Sequence, residues 1–95
     1  MRKVDYFIQN KNLLSVEIDD ELVMVSDNQE NFIALNSTGK FIFDYLASPK
    51  SIDEIISAVI TQFEVDTEIA MKDTRKYLEK LIMHRLIHDS RQAFF

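Results

Sequence analysis

The feature that most constrains this chain is a change of hydrophobic period at Asn36. Before it, Leu14-Ser15-Val16-Glu17-Ile18 alternates apolar and polar residues, and Glu21-Leu22-Val23-Met24-Val25 and Asn31-Phe32-Ile33-Ala34-Leu35 are rich in strand formers. After it the spacing is helical. Period two sends alternate side chains to opposite faces of a sheet, while a period near 3.6 builds a one-sided helix, so the chain divides into a strand half and a helix half. Strands in succession followed by helices in succession belong to the α+β class.

Short turns join the strands. Asp19-Asp20 suits a tight hairpin and Ser26-Asp27-Asn28-Gln29-Glu30 a longer one, because these side chains bond nearby backbone groups and Asn and Asp tolerate left-handed conformations. The simplest arrangement is an antiparallel meander of three strands, with Tyr6-Phe7-Ile8 a candidate to join it. Asn36 or Ser37 is placed to cap a helix through Lys40–Leu46 that ends before Pro49. Ser51 and Glu54 form a capping-box pattern, and Ile52, Ile55, Ile56, Val59, Ile60 and Phe63 then line one face of a second helix. Asp66 is the expected cap of a third helix running to about Leu86, with Glu68 favourable at its positive end and Lys80 and Arg85 at its negative end.

A chain of 95 residues with one Gly, one Pro and no Cys reads as one compact soluble domain over 1–95, with 1–12 and 88–95 as flexible termini. A domain this small buries roughly 60–65% of the surface of its unfolded form, which supports one core but argues against a deep substrate cleft as well. The single Gly39 excludes glycine-rich phosphate loops, and the absence of Cys excludes thiolate nucleophiles, zinc knuckles and iron–sulfur ligation. No apolar run approaches the roughly 20 residues that span a bilayer, and the start lacks a signal-peptide apolar region, so the expected location is the cytoplasm without membrane contact.

Sixteen acidic against eleven basic side chains give a net charge of −5, which opposes a phosphate backbone. The charge is uneven. Residues 67–95 carry six Lys or Arg against four acids, a net +2, and residues 1–66 hold the remaining −7. On the third helix, Ala70, Thr74, Tyr77, Leu78 and Leu81 form a core-facing arc, and Met71, Arg75, Leu78 and Ile82 make a stripe beside it. That stripe is either a wide core face or one wall of a groove for a peptide with apolar anchors and an acidic residue. Three strands and three helices also suit a winged helix-turn-helix, in which the third helix would read DNA as part of a transcription regulator. Asp73 and Glu79 interrupt that helix, and Ser26–Asn31, where a wing would sit, has Asp27 and Glu30 but no Lys or Arg, so DNA is the weaker reading. His84 and His88 lack a third metal ligand, Asp19-Asp20-Glu21 lacks calcium-loop spacing, and no catalytic constellation is present; neither metal nor cofactor is predicted. Ala93-Phe94-Phe95 reads as a frayed end, with a partner's pocket as the alternative destination for its aromatic residues.

Three segments carry a resemblance. They are Leu35-Asn36-Ser37-Thr38-Gly39 with the helix to Leu46, the helix start Ser51-Ile52-Asp53-Glu54-Ile55, and Thr74-x-x-Tyr77-Leu78-x-x-Leu81 followed by Leu86-Ile87. In order and spacing they resemble the PqqD-like family, the peptide-recognition domains of ribosomally made, post-translationally modified peptide pathways. The chain departs from the family in having Phe43 where Trp is common and Arg85 where Gly is common. The resemblance implies a winged helix-turn-helix with an N-terminal three-stranded antiparallel sheet followed by three helices. It implies a non-catalytic chaperone that takes the leader segment of a precursor peptide as an added strand and presents it to a modifying enzyme such as a radical-SAM enzyme or a leader protease or cyclase. Asn31, Phe32, Ile33 and Ala34 would then supply the receiving edge, and Met71, Arg75, Leu78 and Ile82 the helical wall, with Arg75 meeting a leader carboxylate. A homodimer paired through Tyr6-Phe7-Ile8 is also open to a chain with an exposed receptive edge.

Overall fold

The computed structural model describes residues 5–11, 13–19, 21–25 and 32–89. In chain order these form β1 (Tyr6–Gln9), β2 (Leu14–Ile18), β3 (Glu21–Val25), β4 (Phe32–Leu35), α1 (Ser37–Tyr45), β5 (Lys50–Ser51), α2 (Ile52–Phe63), α3 (Thr67–Met83) and β6 (Ile87–Asp89). The expected meander is present as an antiparallel sheet in the order β2-β3-β4. Leu22 pairs with Leu35 and Met24 with Ile33, and these four side chains are the sheet's contribution to the core. The helices supply the rest, led by Ile42, Leu46, Ile55, Val59 and Leu81.

Local chemistry sets the helix starts. The Asn36 side chain accepts from the Gly39 amide at 3.0 Å, a cap of the kind worth about 1 kcal/mol. Ser51 and Glu54 close the full capping box: the Glu54 amide donates to Ser51 Oγ at 3.2 Å and the Ser51 amide to Glu54 Oε1 at 2.8 Å. That second bond, from a backbone N–H to the ionised carboxylate, holds Glu54 below the usual carboxylate pKa. Asp66 occupies the N-cap position of α3 but makes no side-chain cap bond, so its contribution there is confined to position and charge.

Two expectations need correction. The first concerns the end of α3, which stops at Met83 rather than near Leu86. Arg85 turns into the left-handed region with φ of 60°, its amide donates to Ile82 O at 3.0 Å, and the Leu86 amide reaches back to Leu81 O at 2.8 Å. This is a Schellman stop, with both Leu81 and Leu86 fully buried against its inner side. The chain thus makes with Arg the turn for which Gly is the usual residue.

The second concerns Tyr6-Phe7-Ile8, which does not join the meander. It forms the middle of a separate sheet in the order β5-β1-β6, with Tyr6 opposite Ser51 and Ile8 opposite His88. The reason lies in the helix ends. The Gln9 amide donates to Leu46 O at 2.8 Å, the Asn10 amide to Leu86 O at 2.9 Å, and the Asn10 side chain to Arg85 O at 2.9 Å, so the end of β1 and the residue after it supply donors to carbonyls left over where α1 and α3 stop. Asn10 is buried in doing so. Residues 6–10 and 88–89, expected within flexible termini, are therefore ordered parts of the fold; of the others expected there, 1–4, 12 and 90–95 lie outside the described residues.

Candidate peptide-binding edge

β4 lies at one border of its sheet, and among the described residues no strand pairs with its outer side. Every second residue of such a strand turns its amide and carbonyl away from β3, leaving hydrogen-bonding groups that another extended chain can use. Side chains alternate as well. Ile33 and Leu35 enter the core, whereas Phe32, 72% exposed, and Ala34 stand on the opposite face. Asn31 lies outside the described residues. Alternate residues of β4 can therefore offer a leader their backbone, while Phe32 and Ala34 can offer side chains.

Gly39 fixes how the helices meet this edge. A Cβ at that position would lie 3.1 Å from Tyr77 Cε1 and 3.3 Å from Leu35 Cβ, so α1, α3 and the C-terminal end of β4 converge on the one residue without a side chain. The structure gives a packing reason for the glycine in the Leu-Asn-x-Thr-Gly segment. A larger residue would push α3 away from β4 or distort the start of α1.

The α3 stripe divides on inspection. Leu78 is 4% exposed and belongs to the core, so it is unavailable as a groove contact, whereas Met71 and Arg75 are exposed and Ile82 is half-buried. At about 100° per residue, Met71, Arg75 and Ile82 lie on one flank of the buried arc and Tyr77 on the other. Tyr77 is the α3 side chain that lies against Gly39, where Leu35 also approaches. Its flank continues through Asp73 and Ile69, the latter 48% exposed. Tyr77, expected in the core-facing arc, is half-buried at its border, and Ile69 is exposed beyond it. A sequence signal was nevertheless available, since Ile69, Asp73 and Lys76 or Tyr77 repeat at three to four residues as the other stripe does.

On the exposed surface of α3, Lys72, Lys76 and Lys80 form an i, i+4, i+8 row flanked by Glu68 and Glu79 on one side and Asp73 on the other. His84, at the end of α3, and His88, in β6, belong to different elements.

The sheet face away from the helices holds a further surprise. Its register places Leu14, Val25 and Phe32 in one row, Val16, Val23 and Ala34 in the next, and Ile18 with Glu21 in the last. Only Glu21 is polar. β2 is correspondingly reversed: its polar residues Ser15 and Glu17 lie on the helix side, where Glu17 forms an ion pair with Lys40 of α1, and its apolar residues point outward.

Residues 21–87 match the family described as Coenzyme PQQ synthesis protein D (PqqD). A solved structure described as TbiB1 in complex with the TbiA(beta) leader peptide is similar with a TM-score of 0.72 and 26% identity, covering 85% of this chain and 94% of that one. No curated protein sequence matches the chain significantly.

Proposed function

This chain belongs to the PqqD family, and from that premise we propose that it is a non-catalytic recognition element that binds the leader segment of a ribosomally made precursor peptide and presents it to a modifying enzyme. The observation that carries the reading is the open edge of β4 beside α3, in a fold shared with a protein solved with a leader peptide bound. An incoming strand would take its generic affinity from the β4 backbone and its specificity from side chains that alternate between the two faces of the extended sheet.

On the outer face those side chains would meet Phe32 and Ala34. On the helix side Tyr77 stands nearest the end of the edge, with Ile69 and Asp73 along its flank; Met71, Arg75 and Ile82 form the far flank, which a leader crossing α3 would reach. The modifying enzyme belongs to a class that acts on such leaders, such as a radical-SAM enzyme or a leader protease or cyclase, and the cytoplasm is the natural site for a peptide taken up as it leaves the ribosome.

The test is a titration of the purified domain with the synthetic leader of a precursor encoded beside it. Binding tighter than roughly 100 μM, weakened several-fold by Phe32→Ser, supports the reading. Absence of binding at that concentration, or salt-sensitive binding to a DNA duplex instead, refutes it.

A further inference from the structure

α1 and α2 do not close fully over one another. Two shallow depressions of about 560 and 500 Å³ lie side by side along the outer face of α1, and they share Phe41 and Gln62. Together they form one trough. Its origin is a mismatch of side-chain length: Phe41 and Tyr45 rise from α1, whereas α2 offers Ser57, Ala58 and Thr61, which are too short to cover the rings.

The floor is aromatic. The Phe41 and Tyr45 rings lie nearly parallel with centroids 6.0 Å apart, and Phe63 meets Phe41 edge-on at 5.5 Å. All three pack against the core and yet stay only partly buried. The rim is acidic. Glu21, Asp44, Asp53 and Glu54 line the trough against one cation, Lys40, which is paired with Glu17. The chain itself shows what such a place accepts, since Lys50 Nζ stands over the Tyr45 ring at 4.9 Å from its centroid.

We propose that the trough receives the stretch of the precursor that precedes the segment paired with β4, through a Lys or Arg set among the acids and an apolar neighbour laid on the aromatic floor. The proposal rests on the leader-binding reading and adds a second subsite to it. Two observations select this occupant. Asn36 and Ser37, which directly follow β4, also line the trough, so a peptide on the β4 edge has one end at its mouth. Pairing in the antiparallel sense of the rest of the sheet makes that end the amino-terminal one. The acidic rim is the second, because it complements a basic segment and opposes another copy of a chain whose net charge is −5. The nine residues of α1 rise about 13 Å, the reach of about four extended residues, so the subsite is short.

The experiment titrates the full chain with two synthetic peptides. One is the complete leader of the precursor encoded beside it; the other is the same leader with every Lys and Arg before its strand-forming segment replaced by Gln. The parent is compared with Gln62→Lys and Ser57→Lys, each of which puts a cation into the trough. Both sites are exposed, lysine is a good helix former, and a cation at position 62 suits the last turn of α2, so both variants are expected to fold; circular dichroism checks this, and either folded variant decides. The parent is expected to bind the complete leader about threefold to fivefold more tightly than the substituted one, as an exposed ion pair or cation–π contact would give. The variants should lose that preference and hold the substituted leader within twofold of the parent. Equal binding of the two peptides by the parent, or a leader with no Lys or Arg in that stretch, would overturn the subsite and leave the β4 reading standing. Binding of neither peptide would remove the leader reading and the subsite with it. A preference retained in the variants, or a dimer of the parent that Gln62→Lys dissolves in sedimentation, would give the trough another occupant and also overturn the proposal.

Discussion

Replacing Arg85 tests the account of how α3 ends. Arg85 holds φ of 60° between the C-cap His84 and the buried Leu86, in the left-handed region where a Cβ crowds the following carbonyl. That conformation costs a residue with a side chain about 1–2 kcal/mol relative to glycine. Glycine gives some of this back through its greater freedom in the unfolded chain, about 0.4–1 kcal/mol. Arg85→Gly also removes a cation from the negative end of the helix, worth about 0.3–1 kcal/mol. Arg85→Ala loses the same cation and keeps the backbone strain. The informative quantity is therefore the difference between the two variants. Glycine is expected to exceed alanine by roughly 0.5–1 kcal/mol, or about 3–6 °C in Tm for a domain of this size. The hydrogen bonds that Asn10 makes here run to the backbone carbonyls of Arg85 and Leu86, so both variants retain them. Thermal and urea denaturation followed by circular dichroism measure the difference. An alanine variant as stable as the glycine variant would refute the strain argument and with it the physical reading of this departure from the family pattern.

The other expectations follow from the core, the cap and the edge. Thr74 is fully buried and its Oγ1 has no hydrogen-bond partner among the described residues, so Thr74→Val is expected to raise stability by about 1 kcal/mol in urea unfolding; a loss of stability would show that the hydroxyl is satisfied in solution. Gly39→Ala improves helix propensity by about 1 kcal/mol but presses on the Tyr77 ring and the fully buried Leu35, and we expect a net fall in Tm together with weaker leader binding; a rise in Tm with unchanged binding contradicts the convergence at Gly39. Because its bond from the Ser51 amide lowers the folded-state pKa of Glu54, the stabilisation it brings is present above the ordinary carboxylate range and lost as pH falls through the folded value. The parent should therefore exceed Glu54→Gln in Tm at neutral pH and lose that advantage in acid, whereas a constant gap across the range would exclude the mechanism. For leader binding, Ile69→Ser is expected to weaken affinity more than Arg75→Glu; the reverse order in a leader titration would assign the wall to the flank of Met71, Arg75 and Ile82.

What could be read from the sequence follows the range of the interactions involved. The capping box at Ser51 and Glu54, the Asn36 cap and the three meander strands were legible because each rests on residues close together in the chain. The place of Tyr6-Phe7-Ile8 was not, because its pairing with His88 and Ser51 depends on where distant helix ends leave carbonyls to be bonded. Alternation identified β2 as a strand but not which of its faces meets the helices, a matter settled by packing with Lys40. The end of α3 was misplaced because a left-handed turn is costly for Arg, and nothing local announces that the burial of Leu81 and Leu86 outweighs the cost. At the site, Phe32 and Ala34 follow from strand alternation, whereas separating Leu78 from its stripe required the buried arc, and finding Tyr77 beside the edge required its contact with Gly39.

The β1–β6 pairing has a consequence for how such a unit can be carried. With Phe7 opposite Asp89 and Gln9 opposite Ile87, the first and last described strands lie side by side in one antiparallel seam. Joints made at this seam, only a strand's width apart, would let a host chain carry the folded unit as an insertion at a surface loop without stretching either partner. The seam belongs to the sheet that does not contain β4, so grafting the unit into an enzyme or linking its ends to make a circular permutant leaves the strand that would receive the leader structurally independent of the splice.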